Sequence, residues 1–120
     1  MNITPHESDD CKTLVEWMDY QGFRFSHLAQ ETYTKSWAQK AKNKAMGVRK
    51  GVLDYLIIIP QHKTQTKRPL LLFLEMKRKK GGRVSEEQQE WIDAIQGAGV
   101  LAFVCRGVDE AIETLEDLMK

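Results

Sequence analysis

The sequence predicts an α/β fold in which a mixed β-sheet is flanked by helices. Three runs, Val52 to Ile59, Leu70 to Met76 and Val100 to Cys105, are strongly apolar and have the composition of β-strands. Segments with helical spacing of apolar residues precede, separate and follow these runs. The length of 120 residues fits a single domain spanning residues 1–120.

The first segment has the signals of a helix start. Thr4 suits the N-cap, Pro5 the first helical position and Glu7 the third position of a capping box. The helix is expected to run to about Tyr20 or Gln21, because Gly22 is a typical stop.

A short strand over residues 23–28 is predicted to follow. Residues 34–46 are basic and partly helical, with residues spaced to pack lightly at Trp37, Ala38, Ala41 and Ala45. The runs Val52 to Ile59 and Leu70 to Met76 are almost continuously apolar, which is typical of central strands buried on both faces.

The second half of the chain predicts a strand–helix–strand unit. Ser85 and Gln88 form a capping-box pattern after a basic turn, so a helix should begin there. From Leu70 to Cys105 this unit should be a right-handed parallel crossover, and residues 108–120 should form a last amphipathic helix.

The composition argues against a membrane-spanning, secreted or disulfide-rich protein. No run approaches the ~20 apolar residues of a membrane helix, and the N-terminus does not resemble a secretory signal. Cys11 and Cys105 are far apart, which favours neither a structural zinc site nor a disulfide framework. A reducing cytoplasm is therefore the expected location, with no membrane partner.

Charge is strongly segregated along the chain. Residues 35–83 hold fourteen basic residues and only two acids, Asp54 and Glu75, for a net charge of +12. The rest of the chain has a net charge of −11. This separation favours a polyanion bound to one face, although solvated lysine-rich loops are the alternative. The basic candidates for nucleic-acid contact are Lys44, Arg49, Lys50, Arg78, Lys79, Lys80 and Arg83, and Trp37 is a further possible contact.

The two isolated acids suit metal-assisted phosphodiester hydrolysis. If the strands are antiparallel, Asp54 at the start of one meets Glu75 at the end of the next. Lys77 leaves the same strand face as Glu75 and could orient a water. An exposed ion pair of Glu75 with Lys77, and a turn role for Asp54, are the competing interpretations.

Two further polar residues are each open to two interpretations. Glu7 shares a helical stripe with Cys11, Leu14 and Met18, which points it toward the core, but it also fits a capping box. Gln88 heads the apolar stripe of its helix and equally fits the third position after Ser85. Both are candidates for the catalytic pocket.

Several motifs, in this order, resemble the VRR-NUC domain, the virus-type replication-repair branch of the PD-(D/E)XK nuclease superfamily. They are Lys50 to Leu56 (KGVLDYL), Phe73 to Lys77 (FLEMK), Gly82 to Trp91 (GRVSEEQQEW), and Gly99 before Val100 to Val104. The resemblance covers nearly the whole chain and implies a restriction-endonuclease-like core. Leu53 stands where the family usually has proline, which shapes backbone and supplies no ligand.

The resemblance implies a DNA endonuclease dependent on Mg²⁺ or Mn²⁺. By the family pattern, Asp54, Glu75 and the main-chain carbonyl of Met76 bind the metal, and Lys77 assists the water. Glu7 matches the family's first-helix acid, a further metal ligand, and Gln88 matches its helix glutamine.

The resemblance to stand-alone phage-encoded members implies a phage or bacterial source. Some of these members are similar to Holliday junction resolvases, so branched DNA and a homodimer are expected. Two symmetric cuts need two active sites, which a twofold dimer supplies. The segment from Gln30 to Met46 is least like the family and is a candidate dimerisation or DNA-gripping element. The alternatives are a flap, fork or nicking nuclease that needs a partner protein, and a non-catalytic nucleic-acid-binding module.

Overall fold

The computed structural model describes residues 5–28 and 36–120, with side chains from residue 9 onward. The elements are α1 (Pro5–Gln21), β1 (Arg24–His27), α2 (Trp37–Ala45), β2 (Tyr55–Ile59), β3 (Leu70–Lys77), α3 (Glu86–Gly97), β4 (Leu101–Arg106) and α4 (Val108–Met119), with a short 3-10 turn at Gln61–Lys63. This is the predicted order of helices and strands. None of the described helices has the length and apolar character needed to cross a membrane.

The four strands form one mixed sheet in the order β1-β2-β3-β4. The β1–β2 and β2–β3 pairs are antiparallel, whereas β4 pairs parallel with β3 and follows it in sequence after α3. Tyr55 lies opposite Leu74, so the start of β2 is beside the end of β3. The antiparallel arrangement predicted to join Asp54 and Glu75 is therefore present.

Helices cover both faces of the sheet. α1 and α4 pack on one face, where the larger core includes Leu14, Ile57, Leu72 and Leu115. α3 packs on the other face over β4, where Leu53, Ile92 and Ala102 form a smaller core. Alternate residues of each strand face opposite sides, so the side chains of Leu72 and Leu74 enter the larger core.

The strand β2 departs from the prediction in two ways. It begins at Tyr55 rather than Val52, because the Asp54 amide bonds to the Glu75 side chain instead of joining the ladder. The expectation of burial on both faces is also wrong. Leu56 and Ile58 are half-buried, and Leu71 beside them is 39% exposed, because α3 lies over β4 rather than over β2.

The helix α2 forms as predicted but does not pack as predicted. Ser36 is its N-cap, and the Ser36 side chain accepts a hydrogen bond from the Gln39 amide. None of its residues is buried, and Trp37 is 84% exposed. The expected light packing of Trp37 and the alanines is thus absent among the described residues.

Candidate active site

Each of the two isolated acids is bound to the backbone of the other's strand segment. Glu75 faces the α3 side of β3 and is only 3% exposed. Its Oε1 accepts a hydrogen bond from the Asp54 amide at 3.1 Å. In return, Asp54 Oδ2 accepts one from the Met76 amide at 2.8 Å. This reciprocal pair fixes both carboxylates at the junction of β2 and β3.

The second oxygen of Glu75 has two side-chain partners. Lys77 Nζ lies 3.3 Å from Oε2. The Gln88 amide donates to the same oxygen at 2.7 Å. Since Glu75 is buried and contacted from α3, the interpretation of an exposed ion pair at a sheet edge is wrong. The structure brings Asp54, Glu75, Lys77 and Gln88 together.

Gln88 forms the expected capping box and also contacts Glu75, while its catalytic role stays a prediction. Its side-chain oxygen accepts from the Ser85 amide, and the Ser85 hydroxyl accepts from the Gln88 amide, each at 3.1 Å. This is a complete capping box at the start of α3. The side-chain NH₂ group of Gln88 donates a hydrogen bond to Glu75 Oε2. One side chain therefore starts the helix and also fixes the orientation of a carboxylate.

Burial and charge make Glu75 an unusual acid. Loss of solvent around the carboxyl group is the largest effect, and together with the nearby Asp54 charge it raises the pKa of Glu75 from 4.5 to about 7. The Lys77 ammonium opposes this shift only in part. Two carboxylates held together in a desolvated position are favoured when a cation neutralises them.

The donor set fits a magnesium-like ion. Across the part of the chain with described side chains, no cluster of three or more His, Cys, Asp or Glu side chains is arranged for a metal. Mg²⁺ needs only one or two carboxylates, because waters and substrate phosphates complete its shell. Asp54 and Glu75 supply that minimum. The Met76 amide points toward Asp54, and the Met76 carbonyl shares that edge of the strand.

Glu7 was predicted from the stripe of α1. Its backbone lies in the first turn of that helix, but its side chain lies outside the described residues. The expectation that it joins the site stays a prediction.

The residues that hold the loop of Asp54 in place were not predicted from the sequence. The Trp91 indole N–H donates to the Lys50 carbonyl at 3.0 Å, which joins the loop before β2 to α3. Gly51 lies against the first turn of α3, where a Cβ would be 2.6 Å from the Glu87 carbonyl carbon. Its φ of +85° is also a glycine conformation. Lys50, Gly51 and Trp91 are visible in the sequence, but the sequence does not show that the loop before β2 contacts α3.

All seven basic residues predicted to contact nucleic acid are exposed. Arg78, Lys79, Lys80 and Arg83 lie in or beside the turn after β3, and Lys44, Arg49 and Lys50 lie between the end of α2 and β2. A further residue, Arg106, was missed: its guanidinium donates to the Gly82 carbonyl at 2.6 Å and so holds the basic turn on β4. In the sequence, one basic loop precedes Asp54 and the other follows Glu75.

Comparison with known proteins identifies the family and the fold of this chain. The family model for the VRR-NUC domain matches residues 2–109. Among solved structures, one described as a VRR_NUC domain protein is similar, with a TM-score of 0.72 and 22% sequence identity. The match covers 98% of this chain and 91% of that chain, and it establishes the similarity of fold. No curated protein matches this chain.

Proposed function

The chain belongs to the VRR-NUC family, nucleases of the PD-(D/E)XK type, and from this premise we propose that it is a metal-dependent DNA endonuclease. The observation that carries the proposal is the buried carboxylate of Glu75. One of its oxygens is bound to the Asp54 amide, and the other to Lys77 and Gln88. A structural ion pair would not require a second carboxylate at the same place.

Nucleases of this type usually need a divalent metal ion, and we propose Mg²⁺ or Mn²⁺. Asp54, Glu75 and the Met76 carbonyl would hold it, with Glu7 as a further ligand from α1. When bound, such an ion supplies polarisation of the phosphate and a lower pKa for the attacking water.

The remaining polar residues have separate tasks in this proposal. Lys77, half-buried beside Glu75, can hydrogen-bond the attacking water and orient it toward phosphorus. Gln88 holds Glu75 Oε2, so the carboxylate keeps one orientation. The two exposed basic loops bind the phosphate backbone on either side of the site.

We propose further that the enzyme is selective for branched DNA and acts as a homodimer. Paired cuts in a four-way junction require two sites related by twofold symmetry. One site of this kind cuts one strand, so a second copy of the site is needed for the paired cut. Flap or fork cleavage that depends on a partner protein is the alternative.

A cleavage panel tests the proposal. The purified protein is incubated with junction, flap, fork, duplex and single-stranded DNA, each with Mg²⁺, Mn²⁺ or chelator. We expect metal-dependent cuts in a branched substrate and none with chelator. Glu75→Ala should abolish cleavage, whereas Glu86→Ala, an exposed neighbour on α3, should retain it. Undiminished cleavage by folded Glu75→Ala would refute the assignment of the site.

The same panel separates the alternatives. Salt-sensitive binding without cleavage of any substrate in any metal would favour the non-catalytic module. Cleavage of a four-way junction by the protein alone would exclude dependence on a partner. The mass of the protein in solution, measured by light scattering, tests the dimer independently.

A further inference from the structure

The helix α2 stands apart from the rest of the described structure. Ser36 and every residue of α2 except Asn43 are exposed. Trp37, in its first turn, has 84% of its surface accessible. A single exposed aromatic side chain is common on protein surfaces, so the case for a function of Trp37 depends on the charges around it.

The charge of α2 indicates the kind of partner. It carries Lys40, Lys42 and Lys44 and no acidic residue. Lys40 Nζ lies 5.5 Å from the centre of the Trp37 ring, so an aromatic surface and a cation are adjacent. Stacking platforms flanked by cations are the feature with which proteins bind single-stranded nucleic acid.

A series of contacts connects α2 to the catalytic carboxylates. Arg49 Nη1 donates to the Lys44 carbonyl at 3.1 Å, which fixes the loop onto the last turn of α2. The next residue, Lys50, accepts the Trp91 indole N–H, and Gly51 then lies against α3. Asp54 follows three residues later, so the loop that leaves α2 leads directly into the candidate active site.

We propose that Trp37 stacks on an unpaired base while the lysines of α2 contact the adjacent phosphates, so that α2 selects DNA with single-stranded character. This inference rests on the proposed function, since it assumes a DNA substrate. Bases within an intact duplex are already stacked on both sides and cannot accept Trp37. Within the branched DNA of the proposed function, the preferred substrates are therefore open junctions and other branch points with unpaired bases, for which a flap is the simplest model.

A second copy of this chain is a less suitable occupant of the same surface. A twofold contact of α2 with its symmetry mate would bring the same lysines together. Like charges at close range are unfavourable across an interface. A polyanion such as DNA can pair with the lysines of α2 without this repulsion between like charges.

The test is a binding comparison made in chelator, so that cleavage does not interfere. Fluorescein-labelled flap DNA and an intact duplex of equal length are titrated with wild-type protein, Trp37→Ala and Trp37→Phe. Tyr20→Ala is the matched control, because Tyr20 is an equally exposed aromatic residue, 87% accessible, on the acidic helix α1.

We expect Trp37→Ala to weaken flap binding by roughly fivefold or more, and duplex binding by much less. Trp37→Phe should retain most of the preference for the flap, and Tyr20→Ala should change neither affinity. Because Trp37 is exposed, the far-ultraviolet circular dichroism of each variant should match that of the wild type.

Three outcomes would overturn the inference: unchanged flap binding by Trp37→Ala, an equal loss for flap and duplex, or a change from dimer to monomer in that variant. The last would identify α2 as an interface between copies. Failure of the proposed function is seen separately, as absence of cleavage by wild-type protein in the metal panel. The binding contrast at Trp37 is measured whether or not cleavage occurs.

Discussion

The site around Glu75 and the helix α2 lie in the same basic segment but are built on opposite principles. Glu75 is 3% exposed and both of its oxygens have protein partners, whereas Trp37 is 84% exposed. A group that must act on one reacting atom is held in place before the substrate arrives. A surface that binds a variable polymer is left open. Variants of the two regions should therefore fail differently.

The largest expected effect is on chemistry, through Lys77. Lys77→Met removes the ammonium and keeps much of the side-chain volume. Cleavage under single-turnover conditions should fall by roughly 10²- to 10⁴-fold, since general acid–base groups contribute about that much. Lys79→Met, an exposed residue of the following turn, is the control and should reduce binding only. Full activity of Lys77→Met would remove this residue from the mechanism.

Gln88 offers the next largest effect. Gln88→Ala deletes the hydrogen bond to Glu75, and we expect metal affinity to fall by roughly 10- to 100-fold. It also deletes half of the capping box, at a cost of about 1 kcal/mol in stability. Gln89→Ala removes an exposed hydrogen bond to Asp93 on the same helix and controls for helix content. Isothermal titration with Mn²⁺ distinguishes the two residues, and equal affinities would contradict the role assigned to Gln88.

The stability of the folded protein should depend on pH through Glu75. The pKa of Glu75 is raised to about 7, so in the folded metal-free protein this carboxyl group is mainly protonated below that pH. The stability that this provides is complete below the unfolded pKa of about 4.5 and is lost as the pH rises through 7. In chelator, the melting temperature should thus decline across this window, and Glu75→Gln should flatten the decline.

A divalent cation should reverse this dependence. Below pH 7, binding must displace a proton, and apparent affinity should weaken by up to roughly tenfold for each pH unit. The gain in melting temperature on adding Mn²⁺ should grow between pH 5.5 and 8. A gain that is independent of pH would show that the cation does not bind at Glu75.

The smallest effect is expected at Trp91, which joins the loop between α2 and β2 to α3. Trp91→Phe keeps the ring but removes the hydrogen bond to the Lys50 carbonyl, at a cost of about 1 kcal/mol in stability. Cleavage should fall several-fold, because the loop that carries Asp54 becomes looser. Trp17→Phe, on α1, should leave cleavage unchanged. Loss of activity equal to that of Lys77→Met would mean that Trp91 contacts the substrate.

Much of the fold and of the site was predictable because the local signals agreed. The apolar runs with β-type composition became β2, β3 and β4, and the Ser85–Gln88 pattern became a capping box. The pairing of Asp54 with Glu75 followed from one topological assumption, that β2 and β3 are antiparallel.

The rest depended on contacts between distant segments. Trp91 reaches Lys50 across 41 positions of sequence, and Arg106 reaches Gly82 across 24. No periodicity within one element encodes such pairs. The exposure of α2 was missed for the same reason, since its alanines have the spacing of a packed helix but nothing in the described structure buries them.

Several basic side chains already have partners within the protein, and this affects the number of ionic contacts available to DNA. The guanidinium of Arg49 is bonded to the Lys44 carbonyl, Lys63 donates to Gln21, and Lys77 is paired with Glu75. The charge of Lys77 is neutralised by its carboxylate partner, and a cation bonded to an amide or carbonyl oxygen is less free to reach a phosphate, so fewer counterions are displaced from the backbone. The dependence of DNA binding on salt concentration should therefore report fewer ionic contacts than the fourteen basic residues of segment 35–83 suggest.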